Sequence, residues 1–339
     1  MTQSFSELLD KALASRATLF DARHESAFRL FNGFSEGNPN LVVDLYAETI
    51  LFHNYGSAGQ NHYADSTVPT SSLIQEAHEF YRDRLPWLKA GLVKTRNAKS
   101  AGEKRGRILF GRDLDRKIKE HNFWYAIDLT LNQDASFYLD THNLRIWISE
   151  NVKGKYILNA FAYTGSLGVA ALAGGASHVV QLDRNKLFLN LAKESFSLNG
   201  FPVRKQDFLA SDFFAQVAKF KRTDERFDWV FIDPPFFSTS PRGTVDQINE
   251  SARLINKVRP LVNDRGYLVA INNALYASGR EYMQTLEALC EDGYLKIKEL
   301  IPVPDDFTGY PETRLGEPIT DPSPFNHSTK IAVLEVKKK

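Results

Sequence analysis

The first twenty residues carry apolar side chains at helical spacing. Leu8, Leu9, Ala12, Leu13 and Leu19 share one face, while Asp10, Lys11 and Arg16 point elsewhere. This pattern predicts an amphipathic helix. The chain then turns irregular to about residue 130, with short alternating runs between turn clusters. "LVVDLY" and "TILFHNY" read as paired strands after a loop at Phe34–Asn40, and "SSLIQEAHEFYRDRL" reads as a helix.

Beyond residue 130, strand and helix patterns alternate. "YILNAFAY" leads to helical "GSLGVAALAGGA", then "HVVQLD", then helical "NKLFLNLAKESFSLNG". "DWVFID" follows, then a helix in "VDQINESARLINKVRPLV", the strand "GYLVAINNA" and a helix in "GREYMQTLEALCEDG". Such repetition predicts an α/β fold with a mostly parallel sheet covered by helices on both faces. A smaller α+β domain over residues 1–130 would precede a sheet domain over 131–339.

A net charge of +1 makes the chain no polycation, so any nucleic-acid contact must come from a local patch. Residues 94–119 are the candidate, with ten Lys/Arg against three Asp/Glu. A solvated loop or hairpin is the competing reading. Phe123, Trp124 and Tyr125 follow closely, fit either for base stacking or for a core strand. The lone cysteine, Cys290, precludes an internal disulfide and a zinc knuckle, and the eight histidines are scattered, so no metal is expected. Nowhere are there about 18 consecutive apolar residues, so no membrane span is expected and the expected compartment is the cytosol.

In a sheet of this kind ligands bind at the carboxyl ends of the strands, near the point where strand order reverses. The first strand ends in Asn159-Ala160-Phe161-Ala162-Tyr163-Thr164-Gly165-Ser166-Leu167-Gly168. Gly165 and Gly168 permit a sharp turn and close approach to a helix start, but the dinucleotide glycine pattern is incomplete. Eighteen residues after Gly165, Asp183 ends the second strand where an acid can accept hydrogen bonds from ribose hydroxyls. Order and spacing together point to a nucleoside. Asp207, read as following a short strand, either contacts an adenine or caps a helix. Asp233 ends the fourth strand and opens Asp233-Pro234-Pro235-Phe236-Phe237.

The run from "LNAFAYTGSLGVAALAGGASHVVQLD" to "FDWVFIDPPFFS" resembles a class I S-adenosylmethionine-dependent methyltransferase. More narrowly it is similar to the family of the large-subunit ribosomal RNA 5-methylcytosine enzymes. "AFRLFNGFSEGNPNLVVDLYAE", "ASFYLDTHNLR" and "DDFTGYPET" extend the match over about residues 25–339. The resemblance implies a Rossmann-like, mostly parallel seven-stranded sheet, S-adenosyl-L-methionine as cofactor and ribosomal RNA as partner. It implies that Asn159, Phe161, Tyr163, Thr164 and Gly165 hold the methionine end. It further implies Asp183 with Arg184 at the ribose, Asp207 at the adenine and Asp233 near the transferring methyl. Tyr138 and Asp140 match the family's F-x-L-D approach, but Thr141-His142 stands where the family has Gln-Arg. The chain is expected to lack the family's PUA domain.

Carbon-5 methylation of cytosine requires a cysteine nucleophile. The family's cysteine follows the fifth strand, where this chain has Asn272-Asn273. Cys290 reads as structural, on the apolar face of a later helix. Asp-Pro-Pro followed by an aromatic instead resembles amino-methylating enzymes. There the acid and the Pro234 carbonyl would accept from an exocyclic amine while Phe236 stacks on the base. These residues point to methylation of a nucleobase nitrogen, and the family resemblance implies that the base lies in ribosomal RNA. The alternatives are a small-molecule or protein methyltransferase on the same scaffold, and a non-catalytic RNA-binding relative.

Overall fold

A computed structural model describes residues 3–56 and 70–338. The chain divides into two compact units, Met1–Leu139 with Pro304–Pro318, and Asp140–Val303 with Ile319–Lys339. The break thus falls near residue 139 rather than 130, and a late segment returns to the first unit.

In the first unit β1 (Ala27–Asn32), β2 (Leu41–Tyr46), β3 (Thr49–Asn54), β4 (Ala90–Thr95) and β5 (Arg107–Phe110) form one sheet in that order. Only β3 and β4 pair in parallel, which their long connection through residues 55–89 permits. A separate hairpin joins β6 (Lys117–Glu120) and β7 (Phe123–Ala126). Helix α1 (Phe5–Ser15) starts at a capping box on Ser4 and buries Leu9 and Ala12. It stops before Leu19, which lies in a 3-10 turn. The expected loop at 34–40 begins with a single turn, α2 (Gly33–Glu36), ended by Gly37 at φ 99°. Leu9 and Ala12 join Ile74, Ala77 and Tyr81 of α3 (Thr70–Arg84) in a core against the sheet.

A buried ion pair ties this unit to its late segment. Arg16 donates to both carboxylate oxygens of Glu36, at 2.9 and 3.0 Å, and to the Asp306 carbonyl at 2.9 Å. The Thr313 hydroxyl donates to Glu36 at 2.6 Å, and Arg29 lies over the Phe307 ring at 3.7 Å. "DDFTGYPET" therefore completes the core of the first unit.

The basic stretch 94–119 splits in two. Lys94 is buried, donating to the Asn132 and Asp134 carbonyls at 2.8 and 2.7 Å, and burial pushes its pKa down to about 8. Arg96 pairs with Asp134 at 2.9 Å and Lys119 with Glu25 at 3.6 Å. Lys99, Arg105, Arg107 and Arg112 are exposed, around the short helix α4 (Ala101–Arg105) and the edge strand β5. Tyr125 is buried in β7, and Trp124 carries Lys117 over its ring at 4.1 Å.

The second unit opens with α5 (His142–Asn151) and β8 (Tyr156–Ala160), then α6 (Ser166–Ala173), β9 (His178–Asp183) and α7 (Lys186–Leu198). It continues through β10 (Phe208–Ala210), α8 (Phe213–Arg222) and β11 (Phe227–Ile232) to a hairpin of β12 (Phe237–Ser240) and β13 (Gly243–Asp246). Next come α9 (Ser251–Val258), β14 (Val262–Asn272), α10 (Gly279–Cys290), β15 (Leu295–Ile301) and β16 (Lys330–Val336). Seven strands form one sheet in the order β10-β9-β8-β11-β14-β16-β15, parallel except for β16.

The central strand explains its own sequence. Val230 and Ile232 of β11 face Phe213, Val217, Leu254 and Leu286, while Trp229 and Phe231 face Leu144, Ile148 and Leu167. A strand covered on both faces reads as an unbroken apolar run. The helix expected from Val245 begins only at Ser251, because 237–246 is a hairpin closed by Pro241-Arg242. No helix among the described residues is long and apolar enough to cross a membrane.

Removing Glu36 strands the Arg16 guanidinium in a dry interior. Glu36→Ala is therefore expected to cost about 3–5 kcal/mol of stability in urea denaturation. A loss below 1 kcal/mol would mean that water reaches Arg16.

Candidate functional site

Strand order reverses between β8 and β11, so their carboxyl ends open the crevice. The chain leaves β8 through a strained bend: Phe161, Tyr163 and Gly165 have φ of 58°, 50° and 79°. Two side chains with positive φ in one short loop cost stability and persist only where neighbours enforce them. Asp183 enforces them here. Its carboxylate accepts from the Tyr163 N–H at 2.9 Å and the Asn185 N–H at 2.7 Å, while the Ala162 N–H reaches the Leu182 carbonyl at 2.9 Å. Burial still outweighs these bonds and raises the Asp183 pKa.

Beneath the bend, the buried Asn159 amide donates to Gln181 Oε1 at 2.8 Å, and Gln181 Nε2 lies 3.5 Å from the Gly165 carbonyl. A Cβ on Gly168 would come within 1.8 Å of Gln181 Nε2, so this glycine makes room for the amide bridge. Phe161 stacks on Phe213 at 4.5 Å, and Tyr163 meets Phe188 edge-on at 4.5 Å. Thr164 is buried, and exposed Arg184 reaches the Thr239 carbonyl at 3.5 Å.

Asn159, Phe161, Tyr163, Thr164, Gly165, Asp183, Arg184 and Asp233 thus gather at the carboxyl edge of the sheet. Asp207 does not. It sits in a 3-10 turn before β10, not after it, and contacts His178 Nε2 at 3.0 Å at the opposite end of β9. The acid beyond the carboxyl end of β10 is Asp212, which caps α8 by accepting from the Ala215 N–H at 3.0 Å. Tyr138 belongs to the first unit, its hydroxyl donating to Asp134 at 3.1 Å. Asp140 opens the second unit and accepts from the Thr329 hydroxyl at 2.7 Å.

The Asp-Pro-Pro corner departs from the amino-methylating arrangement. The Pro234 carbonyl accepts from Gln247 Nε2 and from Asn273 Nδ2, the latter at 3.3 Å. With two lone pairs taken, it is closed to an exocyclic amine. Phe236 and Phe237 are 46% and 57% exposed, so they face outward rather than filling the core. Leu275 and Tyr276, on the loop after β14, are exposed as well. Lys330 fixes that loop from below, its buried ammonium donating to the Ala274, Ala277 and Ser328 carbonyls at 2.9, 3.1 and 2.7 Å. Cys290 packs partly buried against the core, its thiol pushed up by burial.

Asp233 carries the largest perturbation in the crevice. Burial pushes its carboxyl up to about 7, and the charge of Asp140 adds to the shift. Because the folded chain holds this proton more tightly than the unfolded chain, stability falls as pH rises from 3.8 through about 7. Asp233→Asn removes that loss. At pH 8 it is expected to raise unfolding stability by about 2 kcal/mol, with the gain shrinking towards pH 4. Equal stability of the two proteins at pH 8 in chemical denaturation would contradict the assigned environment.

Residues 98–312 match the family described as S-adenosylmethionine-dependent methyltransferase. YwbD of Bacillus subtilis, a candidate ribosomal RNA large subunit methyltransferase, is 28% identical over 315 residues, covering 91% of this chain and 77% of its own. Ribosomal RNA large subunit methyltransferase I of Aliivibrio fischeri is 30% identical over 238 residues, or 70% of this chain and 58% of that relative. Among solved structures, SMU.776, a candidate methyltransferase complexed with SAH, matches with a TM-score of 0.83 at 21% identity, over 99% of this chain and 83% of its own. That likeness establishes the Rossmann-like methyltransferase fold. The chain belongs to the S-adenosylmethionine-dependent methyltransferase family, and S-adenosylmethionine is its cofactor.

Proposed function

We propose that this enzyme methylates a nucleobase nitrogen in ribosomal RNA. The observation that carries the reading is three exposed aromatics, Phe236 and Phe237 just after Asp233 and Tyr276 on the loop after β14. Exposed aromatics beside a desolvated acid suit a planar acceptor that stacks, since base–aromatic stacking is tolerant of sequence and strong. The names of the relatives from Bacillus subtilis and Aliivibrio fischeri support ribosomal RNA as the acceptor. Lys99, Arg105, Arg107 and Arg112 would meet phosphates.

In this reading Asn159, Phe161, Tyr163, Thr164 and Gly165 surround the methionine end of the cofactor. Asp183 keeps lone pairs for the ribose hydroxyls, with Arg184 and Asp140 nearby along the crevice. Asp212 replaces Asp207 as the acid nearest the adenine, since it follows β10. Bound S-adenosylmethionine supplies an activated methyl on a sulfonium. The chain supplies alignment, and that alignment accounts for most of the rate.

Purified enzyme with methyl-labelled S-adenosylmethionine should label deproteinised ribosomal RNA or ribosomal subunits. Label appearing only in a metabolite or protein fraction would sink the RNA assignment. Phe236→Ala should raise the KM for RNA about tenfold with little change in cofactor affinity, as expected when one stacking partner is lost. Asp233→Ala should lower kcat by about a hundredfold or more, as expected for a group acting at the reacting centre.

A further inference from the structure

The Pro234 corner carries more than its sequence suggests. Gln247 is 2% exposed and tied at every polar atom. Its backbone N–H donates to the Phe236 carbonyl at 3.1 Å, and its own carbonyl accepts from Asn272 Nδ2 at 2.9 Å. Its side-chain oxygen accepts from the Asn273 N–H at 3.1 Å. Its side-chain nitrogen donates to the Pro234 carbonyl and to Asn273 Oδ1, the latter at 3.2 Å.

These contacts fix the polarity of both amides. The Pro234 carbonyl can only accept, so the nitrogens of Gln247 and Asn273 must face it; flipping either would set oxygen against oxygen. Gln247 has both side-chain N–H groups engaged, and its side-chain oxygen is buried on the Asn273 N–H. Asn273 is exposed and retains one N–H and one lone pair, a donor–acceptor pair of fixed order at the mouth of the crevice.

We propose that Gln247 and Asn273 together select the acceptor atom: they withhold the Pro234 carbonyl and present an Asn273 amide edge, which directs transfer to a ring nitrogen of a nucleobase rather than to an exocyclic amine. The inference rests on the RNA-methyltransferase reading above and narrows it. An exocyclic amine shares its lone pair with the ring, so its two N–H groups need acceptors that hold it out of conjugation as the methyl arrives. Here only the Asp233 carboxyl remains for that task. A ring nitrogen with an in-plane lone pair needs no such acceptors. It needs a stacking surface and an edge contact, which Phe236 and Asn273 offer.

The step balances without a further reagent. The ring nitrogen's lone pair forms the new N–C bond while the methyl–sulfur bond breaks with its electron pair left on sulfur. The positive charge passes to the base and the product is S-adenosylhomocysteine. Where the base carries a dissociable proton, Asp233 is placed to take it.

The test digests RNA labelled by the enzyme to nucleosides and locates the methyl by mass spectrometry against standards. A ring-nitrogen methyl is expected. A methyl on an exocyclic amine or on carbon would overturn the inference while leaving RNA methylation intact; no label in RNA would remove the reading beneath it as well. Gln247→Glu, similar in shape but without N–H donors, should lower kcat about tenfold, with calorimetric affinity for S-adenosylmethionine within about twofold. Parallel losses in kcat, cofactor affinity and melting temperature would make Gln247 mere packing and overturn its role. Should that variant fail to fold, Asn273→Ala at the exposed position takes its place. It should raise the KM for RNA about tenfold, and an unchanged KM would overturn the proposed edge contact.

Discussion

The grip of one carboxylate on two backbone N–H groups sets the geometry of the crevice. Asp183, at the end of β9, holds the Tyr163 and Asn185 amides and thereby fixes both the bend after β8 and the start of α7. Those bonds, with the Ala162 N–H on the Leu182 carbonyl, hold Phe161 and Tyr163 at positive φ. The same acid is then both scaffold and ligand candidate. A carboxylate offers about four lone-pair sites, and two backbone donors leave room for hydroxyls.

The opposite wall is organised by the same logic with neutral groups. Around Pro234, amides of Gln247 and Asn273 replace the open carbonyl that the Asp-Pro-Pro motif suggests. Below them Lys330 spends its three N–H donors on three carbonyls, so the loop bearing Leu275 and Tyr276 is held by a fully satisfied buried cation. A buried ammonium is tolerated when each of its donors is met, and its pKa, pushed down to about 8, records the cost of leaving water. Both walls therefore hold their shape before any ligand arrives, which favours alignment over induced rearrangement.

Much of this was legible in the chain because strand burial has a local signature. "HVVQLD" marks β9 to the residue, and the run in β11 is apolar because both faces are covered. What escaped was set by distant or ambiguous partners. "QDFLASD" has an acid on each side of a three-residue strand, and nothing local says which lies at the carboxyl end. "FSTSPRGTVD" carries a turn signal at Pro241-Arg242-Gly243, but its helix-like continuation "VDQINESARL" masked the hairpin and with it Gln247. The return of 304–318 to the first unit depends on Arg16 and Glu36, almost 300 residues earlier in the chain, and no window of sequence contains both.

The Asp-Pro-Pro motif shows why a motif constrains less than the atoms around it. Proline removes a backbone donor and aims its carbonyl, which is why the sequence invites an acceptor role for Pro234. Whether that carbonyl meets substrate depends on a glutamine thirteen residues later and an asparagine on another strand end. The motif supplies the acceptor, and the residues that pair with it decide whether the acceptor is available. In the selection proposed above, substrate choice is carried by Gln247 and Asn273 as much as by the acid and prolines that announce the site, since their pairing with Pro234 sets which hydrogen-bonding groups an incoming base can still find.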